Sequence, residues 1–111
     1  MMNGEIIIVS SLGAAEWGKP SPPVQDCYTV THDTEIKIAH TSVKPLSVFS
    51  NVIEHTTGDL YEPFAGSGTT LVACQNLQRK CRAIEIAPNY CAVILQRMQD
   101  AFPGIVIERV V

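Results

Sequence analysis

The sequence predicts an α/β fold with a mainly parallel sheet. From Leu46 onward, apolar residues at helical spacing alternate with short β-prone runs, so that helices and strands follow one another along the chain. A Gly-Ser-Gly segment, Gly66–Gly68, lies between one predicted strand and the helix after it. This alternation is typical of parallel sheets, because parallel neighbours need a crossover connection and a helix usually supplies it. The 111 residues suffice for one domain with one modest core.

The first half of this alternation has clear boundaries. Apolar residues three and four positions apart predict a helix over Leu46–Thr57, and Gly58 followed by an aspartate ends it. The short run Leu60–Glu62 predicts a strand that leads into the glycine-containing loop. A helix is expected over Thr69–Gln78, directly after that loop.

The second half repeats the pattern. Arg82–Ile86 is predicted to be the next strand, and Pro88 suits the first turn of a helix whose N-cap is Ala87. Alanine has no side-chain oxygen with which to cap a helix, which costs about 0.5–2 kcal/mol. The apolar stripe of this helix ends before Gly104, and Ile105–Val110 is β-prone and predicts a final strand.

The segment before this alternation has a different character. Glu5–Ser10 is apolar and β-branched and predicts a strand, whereas Leu12–Gln25 is broken by glycines and prolines and predicts an irregular loop. Tyr28–Thr31 and Glu35–Ala39 predict a hairpin. We therefore expect one domain over residues 1–111, with an irregular and β-rich segment at 1–39 and a ligand-binding α/β segment at 40–111.

Charge and cysteine content exclude several classes of function. The net charge of −3 and the scattered basic residues argue against a self-sufficient DNA binder, since phosphate contacts need clustered lysines and arginines. The one basic cluster, Arg79–Arg82, is interpreted as a solvated loop. The four cysteines form no Cys-x-x-Cys pair, which predicts free thiols in a reducing compartment and no metal site. They are Cys27, Cys74, Cys81 and Cys91.

No segment of the sequence predicts a membrane span or a secretory signal. The longest purely apolar run, Ile6–Val9, is far shorter than the roughly 20 residues that cross a bilayer. The first residues contain neither a basic stretch nor a long apolar region. A cytoplasmic protein is therefore expected.

The segment from Glu62 to Thr70 has the composition of a ligand-binding loop. Two glycines between a strand and a helix allow the backbone to approach a ligand closely, and the helix presents free N–H groups and the positive end of its dipole. Glu85, near the end of the next strand, is placed to accept hydrogen bonds from ribose hydroxyls. A nucleotide-like cofactor suits such a site.

The residues after the glycines narrow the choice of cofactor. A phosphate-binding loop of the nucleotide triphosphatase type needs lysine after the last glycine, and this chain has Thr69. The dinucleotide fingerprint needs a third glycine where Leu71 stands, so a nicotinamide dinucleotide is less favoured but stays open. S-adenosylmethionine, an adenosine cofactor without a pyrophosphate, fits both departures.

Three elements resemble a known family. His40–Pro45 resembles a His-x-x-x-Lys-Pro element, Pro63–Thr70 resembles a glycine-rich cofactor loop, and Ala83–Ile86 followed by Pro88–Tyr90 resembles an acidic strand end and the helix after it. Together they are similar to the cofactor-binding region of the N6-adenine and N4-cytosine DNA methyltransferases of permuted motif order, including phage-borne and restriction–modification enzymes. The resemblance runs from His40 to Arg97, about half of the chain.

The resemblance implies a partial Rossmann-like methyltransferase fold, three-layered α/β/α, with S-adenosylmethionine as cofactor and DNA as substrate. The loop from Phe64 to Thr70 would wrap the methionine end of the cofactor, Glu85 would hold the ribose, and Ile86 would pack on the adenine. Lys44 and Pro45 would border the methionine pocket. The full set of implied cofactor-binding residues is Lys44, Pro45, Glu62, Pro63, Phe64, Ala65, Gly66, Ser67, Gly68, Thr69, Thr70, Glu85 and Ile86.

The family's catalytic motif is not identified in this sequence. Members carry Asp, Asn or Ser followed by Pro-Pro and an aromatic residue, which holds the flipped target base. The candidate is Ser21-Pro22-Pro23, but Val24 follows instead of an aromatic residue and no apolar strand precedes it, so a proline-rich loop is the simpler interpretation. The segment before His40 also has too little room for a catalytic βαβ unit of roughly 30 residues together with a target-recognition region.

Three functions follow from these observations. The first is a cofactor-binding, DNA-methyltransferase-like protein that is catalytically incomplete without a partner subunit, a second copy or a missing N-terminal half. The second is a non-catalytic α/β interaction module or gene remnant that associates through exposed sheet edges. The third, a small-molecule or RNA methyltransferase, fits the glycine loop but not Lys44 and Pro45.

Overall fold

The computed structural model of the chain describes residues 46–111. In chain order the elements are α1 (Leu46–Glu54), β1 (Leu60–Glu62), α2 (Thr69–Asn76), β2 (Cys81–Ala83) and α3 (Pro88–Ala101). The strand predicted at Glu5–Ser10, the hairpin at Tyr28–Ala39 and the Ser21-Pro22-Pro23 candidate lie outside the described residues. Cys27, Lys44 and Pro45 lie outside them as well.

The two described strands form a parallel pair joined by α2. Leu60 pairs with Cys81 and Glu62 with Ala83. Side chains alternate across the pair, so the end residues of both strands are half-buried while the middle residues, Tyr61 and Arg82, are exposed. The β1–α2–β2 unit confirms the predicted α/β class with a parallel sheet, in a partial Rossmann-like form.

The second strand is shorter than predicted. Regular pairing ends at Ala83 rather than Ile86, because the N–H of Phe64, next in line to pair with β2, donates instead to the Glu62 carboxylate. Ile84 still donates its N–H to the Glu62 carbonyl (2.9 Å), and its own carbonyl accepts the N–H of Ala65 (3.0 Å). The sheet therefore passes directly into the loop that follows β1.

Helices α1 and α2 pack against each other over a small core. Ile53, Ala73 and Cys74 form its buried centre. Partly buried apolar side chains surround them, namely Leu46, Phe49, Leu60, Leu77 and Cys81. This core lies beside the sheet and fixes α2, whose first residue follows the glycine loop.

Helix α1 ends at Glu54, three residues before the predicted end. The Ile53 carbonyl accepts the N–H and the hydroxyl of Thr56 (3.0 and 2.8 Å), so it is engaged by a tight turn rather than by a continuing helix. Arg79 approaches from the segment after α2 and donates to the carbonyls of Ile53 (3.1 Å), Thr56 (2.9 Å) and Gly58 (2.9 Å from Nε). Its second terminal nitrogen also donates to Gly58.

The interpretation of Arg79–Arg82 as a solvated loop is therefore wrong for Arg79. Its guanidinium binds the carbonyls at the C-terminal end of α1, where the helix leaves acceptors unsatisfied and the dipole favours a cation. Arg82 does fit the interpretation, since its ion pair with Asp59 (2.8 Å) joins side chains that are 71% and 51% exposed. The Arg82 guanidinium lowers the pKa of the Asp59 carboxyl.

The last helix begins as predicted, but the strand expected after it does not form. Ala87 is the N-cap of α3 without a side-chain cap hydrogen bond, and Pro88 occupies the first turn. Ile105–Val110 has no regular secondary structure. A strand needs a hydrogen-bonded neighbour, and β1 and β2 pair only with each other among residues 46–111. The β-prone composition of this run is therefore not expressed as a strand.

The described cysteines are free thiols, as predicted. Cys74 is fully buried, and burial raises the pKa of its thiol to about 12. Cys81 and Cys91 are half-buried. Within residues 46–111, no helix has the length and apolar character needed to cross a bilayer.

Candidate functional site

The loop between β1 and α2 has a backbone shape that favours glycine at two positions. Gly66 and Gly68 both have positive φ, at 54° and 86°, a left-handed conformation that side chains disfavour. A Cβ on Gly68 would lie 3.0 Å from Ile94 of α3, so this glycine also permits close helix packing. A Cβ on Gly66 would meet no atom within 4 Å apart from those of its two chain neighbours, so the backbone there borders open space.

The side chain of Glu62 spans the loop from one end to the other. One carboxylate oxygen accepts the N–H of Phe64 and the other accepts the hydroxyl of Thr70, both at 2.8 Å. The loop is closed further inside by the N–H of Gly68, which donates to the Ala65 carbonyl (2.9 Å). These bonds fix the shape of the loop. At Gly66 no side chain covers the outer surface of the loop.

Glu85 connects the loop with the start of α3. Its two carboxylate oxygens accept the N–H groups of Ala87 (2.9 Å) and Gly66 (2.7 Å). These bonds, that of Ala87 foremost, lower the pKa of the carboxyl below its ordinary value of 4.5. The carboxylate also serves the N-terminal region of α3, where Ala87 supplies no side-chain acceptor.

This geometry predicts a pH-dependent stability term that depends on Glu85. A carboxyl whose pKa is lower in the folded state contributes stability above its unfolded-state pKa, and this contribution is lost as pH falls through the folded-state pKa. The difference in urea midpoint between the wild type and Glu85→Gln should therefore be largest near pH 6 and shrink below about pH 4. A difference that stays constant from pH 6 to pH 3 would contradict the role of the charge.

Two exposed apolar side chains lie at the same edge of the sheet. Phe64 follows β1 and is 86% exposed, and Ile86 follows β2 and is 95% exposed. Because the carboxyl ends of parallel strands meet at one edge, both side chains belong to the same region as Glu85. With this exposure, Phe64 is not part of the core that the described residues form.

Arg97 of α3 belongs to this site and was not singled out from the sequence. One of its terminal nitrogens donates to the hydroxyl of Thr69 (2.9 Å) and to the carbonyl and hydroxyl of Ser67 (3.2 and 3.4 Å). The sequence signal was present, since Arg97 follows the buried Ile94 by three residues and shares its helix face. The sequence placed Glu62 among the cofactor-binding residues without a specific role. In the structure, its two carboxylate oxygens bind Phe64 and Thr70.

The structure gathers the sequence-predicted residues from Glu62 to Thr70, together with Glu85 and Ile86, at one edge of the sheet. It does not address Lys44 and Pro45, which precede the described residues. The gathered groups suit a ligand with a flat apolar part and hydroxyl donors. Phe64 and Ile86 offer apolar surface, the Glu85 carboxylate offers acceptors, and the open space at Gly66 admits close approach.

Comparison with known proteins finds similarity to methyltransferases. The chain is 44% identical over 41 residues to the type II methyltransferase M.SmaI of Serratia marcescens, a match that covers 37% of this chain and 14% of that protein. The solved structure of the M1.HpyAVI–SAM complex is 38% identical, with a TM-score of 0.51, and the match covers 55% of this chain and 32% of that one.

A second solved structure is TTHA0409, a putative DNA modification methylase from Thermus thermophilus, in complex with S-adenosyl-L-methionine. It is 31% identical with a TM-score of 0.52, and the match covers 58% of this chain and 28% of that one. The chain therefore spans less than a third of the length of each of these relatives.

The family assignment rests on a longer stretch of sequence than any of these pairwise matches. The sequence model of the N6 and N4 DNA methylases matches residues 14–96, which include the β1–α2 loop, Glu85 and most of α3. Because this match takes in well over half of the chain, the protein belongs to the DNA methylase family.

Proposed function

We propose that this chain forms the S-adenosylmethionine-binding part of a DNA methyltransferase that methylates the exocyclic amine of adenine or cytosine. The observation that carries the proposal is the joining of the glycine loop to the next strand end by Glu85, whose oxygens accept the N–H groups of Gly66 and Ala87. That arrangement places an ionised carboxylate beside a backbone that has room for a ligand.

Each part of the site has a proposed role toward the cofactor. The loop from Phe64 to Thr70 surrounds the methionine end, where its backbone at Gly66 borders open space. Glu85 accepts hydrogen bonds from the ribose hydroxyls with the lone pairs that the two N–H groups leave available. Ile86 covers the adenine with its exposed side chain.

The remaining assigned residues support this site. Glu62 and Pro63 shape the loop, the first by its bonds to Phe64 and Thr70 and the second by ending β1. Lys44 and Pro45 border the methionine pocket in this proposal. When bound, the cofactor supplies an activated methyl group, while the chain's own residues bind it, orient it and exclude water from it.

The catalytic step needs groups that this site does not itself contain. Ser21, Pro22 and Pro23 are the only candidates for the base-holding motif in the sequence, and Val24 replaces the aromatic residue. We therefore propose that a complementing methyltransferase subunit or a second copy of the chain supplies the base-holding groups, with DNA as the substrate. A single domain over 1–111, with its cofactor-binding segment at 40–111, is part of the proposal.

The biological setting follows from the same assignment. A restriction–modification or phage-borne enzyme acts on DNA in the cytoplasm, and the resemblance to type II methyltransferases supports this setting. With a net charge of −3, the chain has little means of holding DNA by phosphate contacts alone. A partner subunit would therefore also supply much of the DNA contact.

Calorimetric titration of the purified chain with S-adenosylmethionine and with its demethylated product tests the proposal. We expect micromolar binding of at least one of the two. Glu85→Gln should weaken binding about 10-fold or more, since hydrogen bonds to a charged acceptor contribute about 1.5–3 kcal/mol. Glu108→Gln, the same change at an exposed position of the C-terminal tail, should leave affinity unchanged.

The outcome separates the methyltransferase from the interaction module. Absence of binding in a sample shown to be folded by circular dichroism would contradict the proposal and favour a non-catalytic module. Binding that Glu85→Gln and Glu108→Gln weaken equally would contradict the assigned site while leaving cofactor binding in place.

A further inference from the structure

The inner surface of the glycine loop is held by α3 at two neighbouring points. Ile94 lies so close to Gly68 that a Cβ there would be 3.0 Å from its Cγ1. One turn further along, Arg97 donates from one nitrogen to the hydroxyl of Thr69 and to both oxygens of Ser67. Helix α3 therefore packs against the loop through an apolar contact and a charged one.

The contact with Arg97 fixes a specific peptide group. The Ser67 carbonyl accepts from Arg97 at 3.2 Å, while the N–H of the same peptide, that of Gly68, donates to Ala65 at 2.9 Å. The Ala65–Gly66 peptide, two before it in the chain, is also held at both ends, because the Ala65 carbonyl accepts from the N–H of Gly68 and the N–H of Gly66 donates to Glu85. The backbone that borders the open space at Gly66 is thus oriented from α3 on one side and from Glu85 on the other.

The burial of the two hydroxyl side chains shows which way they point. Ser67 and Thr69 are only 9% and 4% exposed, and their hydroxyls lie within hydrogen-bond distance of Arg97. The two hydroxyls therefore accept from the guanidinium on the buried side of the loop. Their side chains are therefore available to α3 rather than to a ligand on the outer surface of the loop.

We infer that Arg97 is a positioning residue that holds the glycine loop in its cofactor-binding conformation, with the side chains of Ser67 and Thr69 as its anchors. This inference rests on the proposed function for its consequence, which is cofactor affinity. The loop geometry itself is independent of that function. Without the guanidinium, the Ser67–Gly68 peptide loses one of its two restraints and the binding-competent conformation becomes less populated.

The three contacts described above all leave from one nitrogen of Arg97, and this allows a test of the chemistry. A lysine ammonium offers three donors from a single nitrogen, so Arg97→Lys should retain much of the function even though it lacks the planar fork of arginine. Arg97→Met keeps an unbranched stem but offers no donor. Arg109→Met is the matched control, since it makes the same change in the exposed C-terminal tail.

The experiment measures two quantities on the whole chain, the dissociation constant for the demethylated cofactor and amide hydrogen exchange in the loop. We expect Arg97→Met to weaken binding about 10-fold and to speed exchange at Gly66 and Gly68 at least as much, with exchange in β1 unchanged. Arg97→Lys should stay within about 3-fold of wild type in both measurements. Arg109→Met should match the wild type.

Wild-type affinity and loop exchange in Arg97→Met would overturn the inference, and so would equal losses in the Lys and Met variants. If Arg97→Met does not fold, Thr69→Val decides, because it removes the closest acceptor (2.9 Å) with little change in shape. Slower or unchanged loop exchange in Thr69→Val would then overturn the inference. Should the wild type bind no cofactor, the proposed function fails, and the exchange data still judge the role of Arg97.

Discussion

Gly66→Asp is expected to weaken S-adenosylmethionine binding more than about 100-fold while the chain remains folded. The new side chain would occupy the open space beside the loop, where no atom outside the two neighbouring residues lies within 4 Å of a Cβ. It would also bring a negative charge toward the carboxylate of the cofactor's methionine end. Like charges about 4 Å apart near a protein surface repel by roughly 4 kcal/mol, which exceeds the roughly 2.7 kcal/mol of a 100-fold loss.

Two further variants separate the causes in a calorimetric titration. Gly66→Asn has the same shape without the charge, so it should bind more tightly than Gly66→Asp and more weakly than wild type. Gly58→Asp places the same residue at another open glycine of positive φ (83°), away from the candidate site, and should keep wild-type affinity. Unchanged affinity in Gly66→Asp would show that the cofactor does not bind against this loop.

Arg79→Met is expected to lower the free energy of unfolding by about 2–4 kcal/mol. The guanidinium donates to the partly buried carbonyls of Ile53 and Thr56 and to the exposed carbonyl of Gly58, and the variant would leave these acceptors with fewer partners. Hydrogen bonds to charged groups contribute about 1.5–3 kcal/mol each and are not additive within one side chain. Domains of this kind are stable by only about 5–15 kcal/mol, so the loss should be obvious.

Urea unfolding followed by circular dichroism measures this effect, with Arg82→Met as the matched control. The Arg82–Asp59 pair is largely exposed, and such pairs contribute about 0.2–1 kcal/mol. Equal urea midpoints for the two variants would contradict the role assigned to Arg79. A large difference would show that Arg79 attaches α1 to the rest of the fold. Helix α1 begins directly after Lys44 and Pro45 in the chain.

The strand boundaries show where the prediction from sequence stops. Composition placed β1 correctly at Leu60–Glu62, because Asp59 and Pro63 bound this short run on either side. It extended β2 to Ile86, although pairing ends at Ala83, and it predicted a strand at Ile105–Val110 that does not form. Strand propensity describes a residue, whereas a strand depends on a neighbour that lies elsewhere in the chain.

By itself, the sequence determined the parallel α/β class, the glycine loop after β1, the acidic residue after β2 and the family to which they belong. These features depend on residue types at short spacing, where local conformation and chemistry are directly encoded. Only the tertiary structure decided the partners of Arg79 and Arg97, which lie 21 to 30 residues away along the chain. A long, flexible arginine side chain reaches many positions, so packing of the helices selects the carbonyls and hydroxyls that it binds.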